Sequence, residues 1–507
     1  MKKTNLYRAS VTLLLLGLLP VLPVGRPLNA ATFYWDADED ASGNATDGSG
    51  LDGSGNWDTS TANWWNGAAD SAWPNTNADL AIFTAAFSPG APVLNTVTLV
   101  SDITANMVSF LRSGYTLTGG ELTLAGASPT LHATLGDSAT ISSLVDGTDG
   151  LTKTGGGTIR LANNANTYTG VTNITNGTLI ISSQGALGTS SDAVVVTDGN
   201  AAPSNAATIG FTGGSLFLDG SAAGFTFSRD LNLSGSGPAG GRGAALLSIG
   251  DNTLSGIVNA AFSSLTPATF KNTRLISADG TLTLSGTLNV GGTAGTTITS
   301  LGGINQAGAS FYNFTGILAG TGTLEKSGGG TLFLTPSDTS GFAGRLRISS
   351  SAASGQSSVR ISSADVFGTA NSTNASGPID MSGGTLEIRS DVGLDIGKNV
   401  YNRSTSVYFF GPAIGGTGIN GTVSLGTLRA AANTTLTFNS RNGFGASFGV
   451  QSMESSNNNS TFTNNMGGLL TFTGNFWNNS DGSARTLTIS GNGNTRIEGS
   501  INTSGAG

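Results

Sequence analysis

A short pattern recurs along this chain and limits its folding more than any other feature: a glycine, then two apolar residues separated by one position. It appears as Gly120-Glu121-Leu122-Thr123-Leu124, Gly177-Thr178-Leu179-Ile180-Ile181, Gly214-Ser215-Leu216-Phe217-Leu218, Gly280-Thr281-Leu282-Thr283-Leu284 and Gly384-Thr385-Leu386-Glu387-Ile388. Alternate apolar residues line one side of a strand, and glycine supplies turn conformations that other residues resist. Val194-Val195-Val196, Leu231-Asn232-Leu233, Leu436-Thr437-Phe438-Asn439 and Leu487-Thr488-Ile489 read as further short strands. No amphipathic helix follows the N-terminal segment. Four hundred residues of short strands leave a sandwich array, a propeller or a parallel solenoid. A propeller needs a blade period of about 40–50 residues, and none is visible. An immunoglobulin-like array carries a Trp roughly every hundred residues, but none lies between Trp73 and Trp477. Strand starts at 120, 157, 177 and 214 are 37, 20 and 37 residues apart, which is two, one and two rungs of about 20 residues. The chain therefore reads as all-β, a parallel β-helix of about 23 rungs and about 110 Å.

Composition narrows the chemistry. Gly accounts for 77 of 507 residues and charged residues for only 10%, a profile of turns and strands rather than of charge-rich disorder. There is no Cys and a single His, so disulfides, thiolate sites and multi-His metal centres are excluded. His132 reads as a surface or turn-proximal side chain. No cofactor and no catalytic residue is expected.

Residues 1–31 read as a signal peptide, with Lys2, Lys3 and Arg8 ahead of an apolar run, Val11 to Leu19, too short to span a bilayer. Its loss leaves 18 bases against 30 acids, a balance that disfavours nucleic acid. Residues 32–92 hold Trp35, Trp57, Trp64, Trp65 and Trp73, five of the six tryptophans, and read as an N-terminal cap covering the end of the strand stack. Stacking of Trp64 and Trp65 on sugar rings is the alternative. The same region carries Asp36, Asp38, Glu39, Asp40, Asp47, Asp52 and Asp58. Their spacing fits neither an EF-hand nor a Gly-rich calcium repeat, so no metal is assigned and a solvated acidic loop is expected. Residues 93–507 form the β-helix.

One internal repeat is specific. Gly150-Leu151-Thr152-Lys153-Thr154-Gly155-Gly156-Gly157-Thr158-Ile159-Arg160-Leu161 is followed by Tyr168, Gly170 and Gly177. The same order returns at 322–348 with Lys326, Gly328, Gly329, Gly330, then Phe342 and Gly344, offset by 173 residues at the glycine triplet and 174 at the later Gly. This resembles the autotransporter-associated β-strand repeat, also called the passenger-associated transport repeat, whose pattern is L-x-K-x-G-x-G-T-L-x-L, a polar loop, Y-x-G and a closing G-T-L. The copy at 150–181 fits throughout; the second has Phe342 for the Tyr and no closing G-T-L in register. The aromatic start, Phe33-Tyr34-Trp35-Asp36, is similar to that of large exported proteins with such repeats. The resemblance implies a right-handed parallel β-helix displayed outside a Gram-negative-type cell, with repeats tied to secretion and folding rather than to catalysis. From the residues alone, the triplets are tight corners, with Gly156 and Gly329 at their crowded centres. Lys153 and Lys326 read as exposed, solvated side chains beside strand edges. The triplets lack the Gly-Lys-Ser/Thr and the helix of a phosphate loop.

The functional expectation is a non-enzymatic, exported surface solenoid for display, adhesion or matrix contact. Its expected partners are a polysaccharide or a host or matrix surface, and an outer-membrane translocation machinery or barrel. The alternatives are a β-helix polysaccharide lyase or glycoside hydrolase, and a carbohydrate-binding module. The last residues, a strand-turn fragment, read as the run-in to a further repeat, so the chain is expected to continue.

Overall fold

A computed structural model describes residues 30–502 apart from 86–93, 198–212, 236, 239–243, 261–270, 292–296, 304–310, 351–356, 370–376, 432, 450, 454–458 and 479–485. All but the end of the signal segment, and the boundary at 92/93, lie outside the described residues. What is described is strand and turn, with two single 3-10 turns, Gln184–Leu187 and Ala364–Phe367.

Almost every strand pairs, parallel and in register, with the strand one circuit later. Thr158–Leu161 lies between Ser138–Ile141 and Gly177–Ile181, with Ile159 opposite Ala139 on one side and Leu179 on the other. The result is a three-sided parallel solenoid whose circuits visit a first, a second and a third face in turn. The second face runs through 18 strands among the described residues, from Gly55–Trp57 to Ile501–Asn502. Seventeen steps between Gly55 and Ile501 make the average circuit about 26 residues, not 20. Third-face strands and corner loops lengthen each circuit. The stack is accordingly shorter than expected, about 80 Å at about 4.8 Å per step.

Among the described residues the other two faces are each interrupted once. The first face stops at Ile317–Gly320 and resumes at Leu394–Asp395; the third stops at Leu144–Asp146 and resumes at Thr226–Phe227. Each repeat sits at one of these gaps.

Period-two alternation explains the core. On the second face Ile159, Leu179, Leu216, Leu246, Leu275 and Leu301 stack in one inward row, every one of them fully buried. Each such side chain contributes about 1.5–3 kcal/mol. Outward rows are polar: on the first face the Asn259 side-chain amide donates to Asn232 Oδ1 at 2.8 Å, and that of Asn289 to Asn259 Oδ1 at 2.7 Å. At the N-terminal end the parallel order breaks. Trp64–Trp65 pairs antiparallel with Thr32–Trp35, and Asp70–Ser71 antiparallel with Trp64–Trp65, so a hairpin closes the stack there.

Candidate functional site

Lys153 occupies an inward position, opposite Leu131 below and Ile174 above. It is fully buried. Its ammonium turns into the corner and donates to the carbonyls of Thr154 at 2.7 Å, Gly155 at 2.8 Å and Asn176 at 3.1 Å. Lys326, also fully buried, takes the next place in the leucine row of the second face, between Leu301 and Ile348. It donates to Ser327, Gly328 and Gly329 at 2.9, 3.0 and 2.8 Å. The expectation of solvated lysines is therefore wrong for both. A tight corner points carbonyls inward where water cannot reach them, and an ammonium with three donors satisfies them. Burial pushes each lysine down to about 7. In the repeat at 150–181 the third acceptor belongs to the next circuit, whereas Lys326 is satisfied within its own corner.

Crowding in the corners falls on the flanking glycines rather than the central one, which corrects the emphasis on Gly156. A Cβ on Gly155, at φ +72°, would lie 2.1 Å from the Ala133 carbonyl oxygen, and one on Gly157 2.2 Å from that of Thr134. At Gly156 the neighbour is the side chain of Leu135, 3.0 Å away and 68% exposed, hence able to move. Gly328 and Gly330 have φ of 67° and 84°; Gly329, between them, is not in that region. The closing Gly177 abuts the lysine itself: a Cβ there would sit 2.8 Å from the Lys153 ammonium. Gly170 and Gly344 each back onto a glycine of the circuit below, Gly150 and Gly322.

Tyr168 and Phe342 are both buried and equivalent in position. Thr189 donates its amide to the Tyr168 carbonyl at 3.1 Å, and Thr369 to that of Phe342 at 2.9 Å. The Tyr168 hydroxyl meets Thr172 at 3.0 Å; Phe342 fills the space without that bond. Asn166 and Thr339, absent from the sequence reading, do related work. Asn166 accepts from the Val145 amide at 2.8 Å and donates to the Ala186 carbonyl at 2.8 Å, tying three circuits together. Thr339 donates to the Asp365 carbonyl. The sequence signal was a longer repeat: Ser182-Ser183 through Gly188 returns as Ser362-Ser363 through Gly368, each enclosing a 3-10 turn. Beside Thr339 lies an open polar cavity of about 360 Å³ lined by Thr335, Ser337, Asp338, Ser363 and Asp365 among others. Its carboxylates serve local turns, Asp338 accepting from the Ser340 amide at 2.8 Å and Asp365 from the Ser363 hydroxyl at 2.9 Å.

The tryptophans form a core, not a sugar platform. Trp64 is fully buried, with ring centroids of Trp57 and Trp73 at 4.8 Å and of Trp35 at 5.2 Å. Trp65 is 7% exposed and packs on Tyr34 at 5.6 Å. The assignment of Trp64 and Trp65 to sugar stacking fails because neither ring offers a free face. Four acids of the cap close turns: Asp38, Asp40, Asp47 and Asp58 accept from amides two residues on. Asp36 is different, fully buried and bonded to the Asn44 amide group at 2.6 Å. Burial, then its acidic neighbours Asp38 and Asp70, raise it to about 7. His132 is half-buried against Thr154 at 3.0 Å, and burial with the Lys153 charge lowers it to about 4.

The family model of the passenger-associated-transport-repeat matches residues 151–181 and 324–350 of this chain. The chain is also similar to a curated protein, the adhesin BmaC autotransporter of Brucella suis biovar 1 (strain 1330). The two are 34% identical over 237 residues, 45% of this chain and 6% of that protein, so the chain spans only a small part of its length. No solved structure matches.

Proposed function

We propose that this chain is part of an exported passenger, a β-solenoid that holds its outer faces away from a cell for adhesion or matrix contact and turns over no substrate. The observation that carries this reading is the pair of repeat corners, in which the lysines, glycines and aromatic residues of the motif are consumed by the fold. Lys153 and Lys326 cap carbonyls, the glycines admit close backbone, and Tyr168 and Phe342 fill the interior. The similarity to an adhesin autotransporter supports the same reading. Polysaccharide or host-matrix surfaces are the partners, the site of action is the cell surface or the extracellular space, and a translocation machinery or barrel in the outer membrane delivers the passenger.

A hydrolase or lyase needs two ionisable groups free to act on a bound bond. Asp338 and Asp365 border the polar cavity, so they are the groups to test. Purified protein incubated with acidic and neutral polysaccharides should release neither reducing ends nor unsaturated uronates. Turnover lost in Asp338→Asn or Asp365→Asn would replace this reading with an enzyme.

A further inference from the structure

Residues 32–92 contain nine acids and no Lys or Arg, and the hairpin of the cap brings two of those acids together. Tyr34 pairs with Trp65 and Trp65 in turn with Asp70, while the Asp36 amide donates to the Asn63 carbonyl at 3.1 Å. By period two, Tyr34, Asp36, Asn63, Trp65 and Asp70 share one side of the hairpin. The Tyr34 and Trp65 rings meet on that side, 5.6 Å apart. The loop after Asp36 folds back beside it: Ala37 donates its amide to the Asp52 carbonyl at 3.0 Å, and the Asn44 carboxamide donates to Asp36 Oδ2 at 2.6 Å. The Asp70 carboxylate also comes within hydrogen-bond reach of Asp36.

Four oxygens of these side chains are buried and accept no hydrogen bond: Asp36 Oδ1, Asn44 Oδ1, Asn63 Oδ1 and Asp70 Oδ1. Asp36 is fully buried and Asn63 only 3% exposed. Buried polar atoms ordinarily find partners, and buried carboxylates are paired with a positive charge or coordinate a metal. No base supplies that charge, since the groups acting on Asp36 are Asn44, Asp38 and Asp70. Asp38 is held in its own turn by the Asp40 amide at 3.0 Å. One cation satisfies several acceptors at once. Calcium takes about six to eight oxygens, from carboxylates and carboxamides alike, in flexible geometry; magnesium demands a tighter octahedron and keeps its water. Two carboxylates balance the double charge. Among the described residues no three acids or histidines group as a metal cluster, so neutral carboxamides must complete the set. A half-turn of the Asn44 carboxamide sets its Oδ1 where its NH2 now meets Asp36, an exchange that a cation between them favours. The donors come from four separate segments, which no spacing in the sequence announces.

We propose that Asp36 and Asp70, with the carboxamide oxygens of Asn44 and Asn63, bind a calcium ion that fastens the cap. The ion joins the end of the first strand, the loop at Asn44 and both arms of the hairpin. It thereby holds the lid in place over the tryptophan core.

The test is calcium titration of the full chain after chelator treatment, read by equilibrium dialysis and by the denaturant midpoint of tryptophan fluorescence. Binding should be half-complete between about 0.1 and about 1 mM, the range of extracellular modules, and should raise the midpoint. Asp36→Asn and Asp70→Asn should each weaken binding about tenfold or more and abolish the midpoint shift, with the parent's circular dichroism retained in chelator. Asp47→Asn, at an exposed turn closed by the Ser49 amide, should bind as the parent does. Absence of binding up to about 10 mM would overturn the assignment. So would both variants binding like the parent, Asp47→Asn losing as much as they do, or an equal shift from magnesium or from sodium chloride of the same ionic strength. If Asp36→Asn does not fold, Asp70→Asn, whose side chain is only half-buried, decides alone.

Discussion

An ammonium in the leucine row of a solenoid is the residue-scale feature that most sets this chain apart. Leaving three corner carbonyls without partners costs about 1–3 kcal/mol for each buried group, partly offset by no longer burying a charge. Lys153→Met keeps the volume and removes the donors. It should destabilise its corner by about 2–4 kcal/mol, seen in native-state hydrogen exchange as faster exchange at Thr175 and Thr178. Amides around Lys326, many circuits away, should be unaffected. Unchanged or slower exchange at the Lys153 corner would show that the carbonyls do not need the lysine. Period two already placed Lys153 on the same side as Leu151, and Lys326 as Leu324, so the inward position was legible in the sequence. What hid it was the rule that lysines avoid the interior unless paired, since the partners here are backbone carbonyls that no side-chain pattern announces.

At the scale of elements, the cap and the repeats were legible to different degrees. A tryptophan-rich segment ahead of a strand stack could be recognised as an end-piece. Which rings would be buried could not, because the hairpin at Trp64–Trp65 turns antiparallel and folds Trp64 back over Trp57 and Trp73. The boundary of the repeat was underestimated for a similar reason: the Ser-Ser to Gly segments, 180 residues apart, carry no apolar alternation and mark a 3-10 turn instead. Within the cap, Asp36 gives a pH dependence of known sign. Its folded pKa, about 7, is raised above the unfolded value of about 3.9. The native state therefore binds more protons than the unfolded state between those values. The contribution is fully present below about pH 4 and lost as pH rises through 7. Cap unfolding, followed by tryptophan fluorescence in denaturant, should show falling stability from pH 4 to pH 8 in the parent and a flatter profile in Asp36→Asn. A variant as pH-sensitive as the parent would move the effect to another group.

For the whole molecule, the parallel solenoid followed from short strands, glycine corners and the absence of helices, while the circuit length did not, because loops add residues without adding rungs. Solution scattering should show a pair-distance distribution with a peak at the width of the prism and a tail reaching about 80 Å. A symmetric distribution ending near about 60 Å, as for a compact body of this size, would contradict the stack. The two repeat corners also differ in their address. The copy at 150–181 places its lysine strand on the first face and its Gly-Thr strand on the second, while the copy at 322–348 uses the second and the third. One copy is therefore turned about a third of a revolution around the long axis with respect to the other, so the loops that interrupt the stack point along different compass bearings. A surface brushing past this rod would meet each loop from its own side, and both could be touched at once only by something that wraps around it.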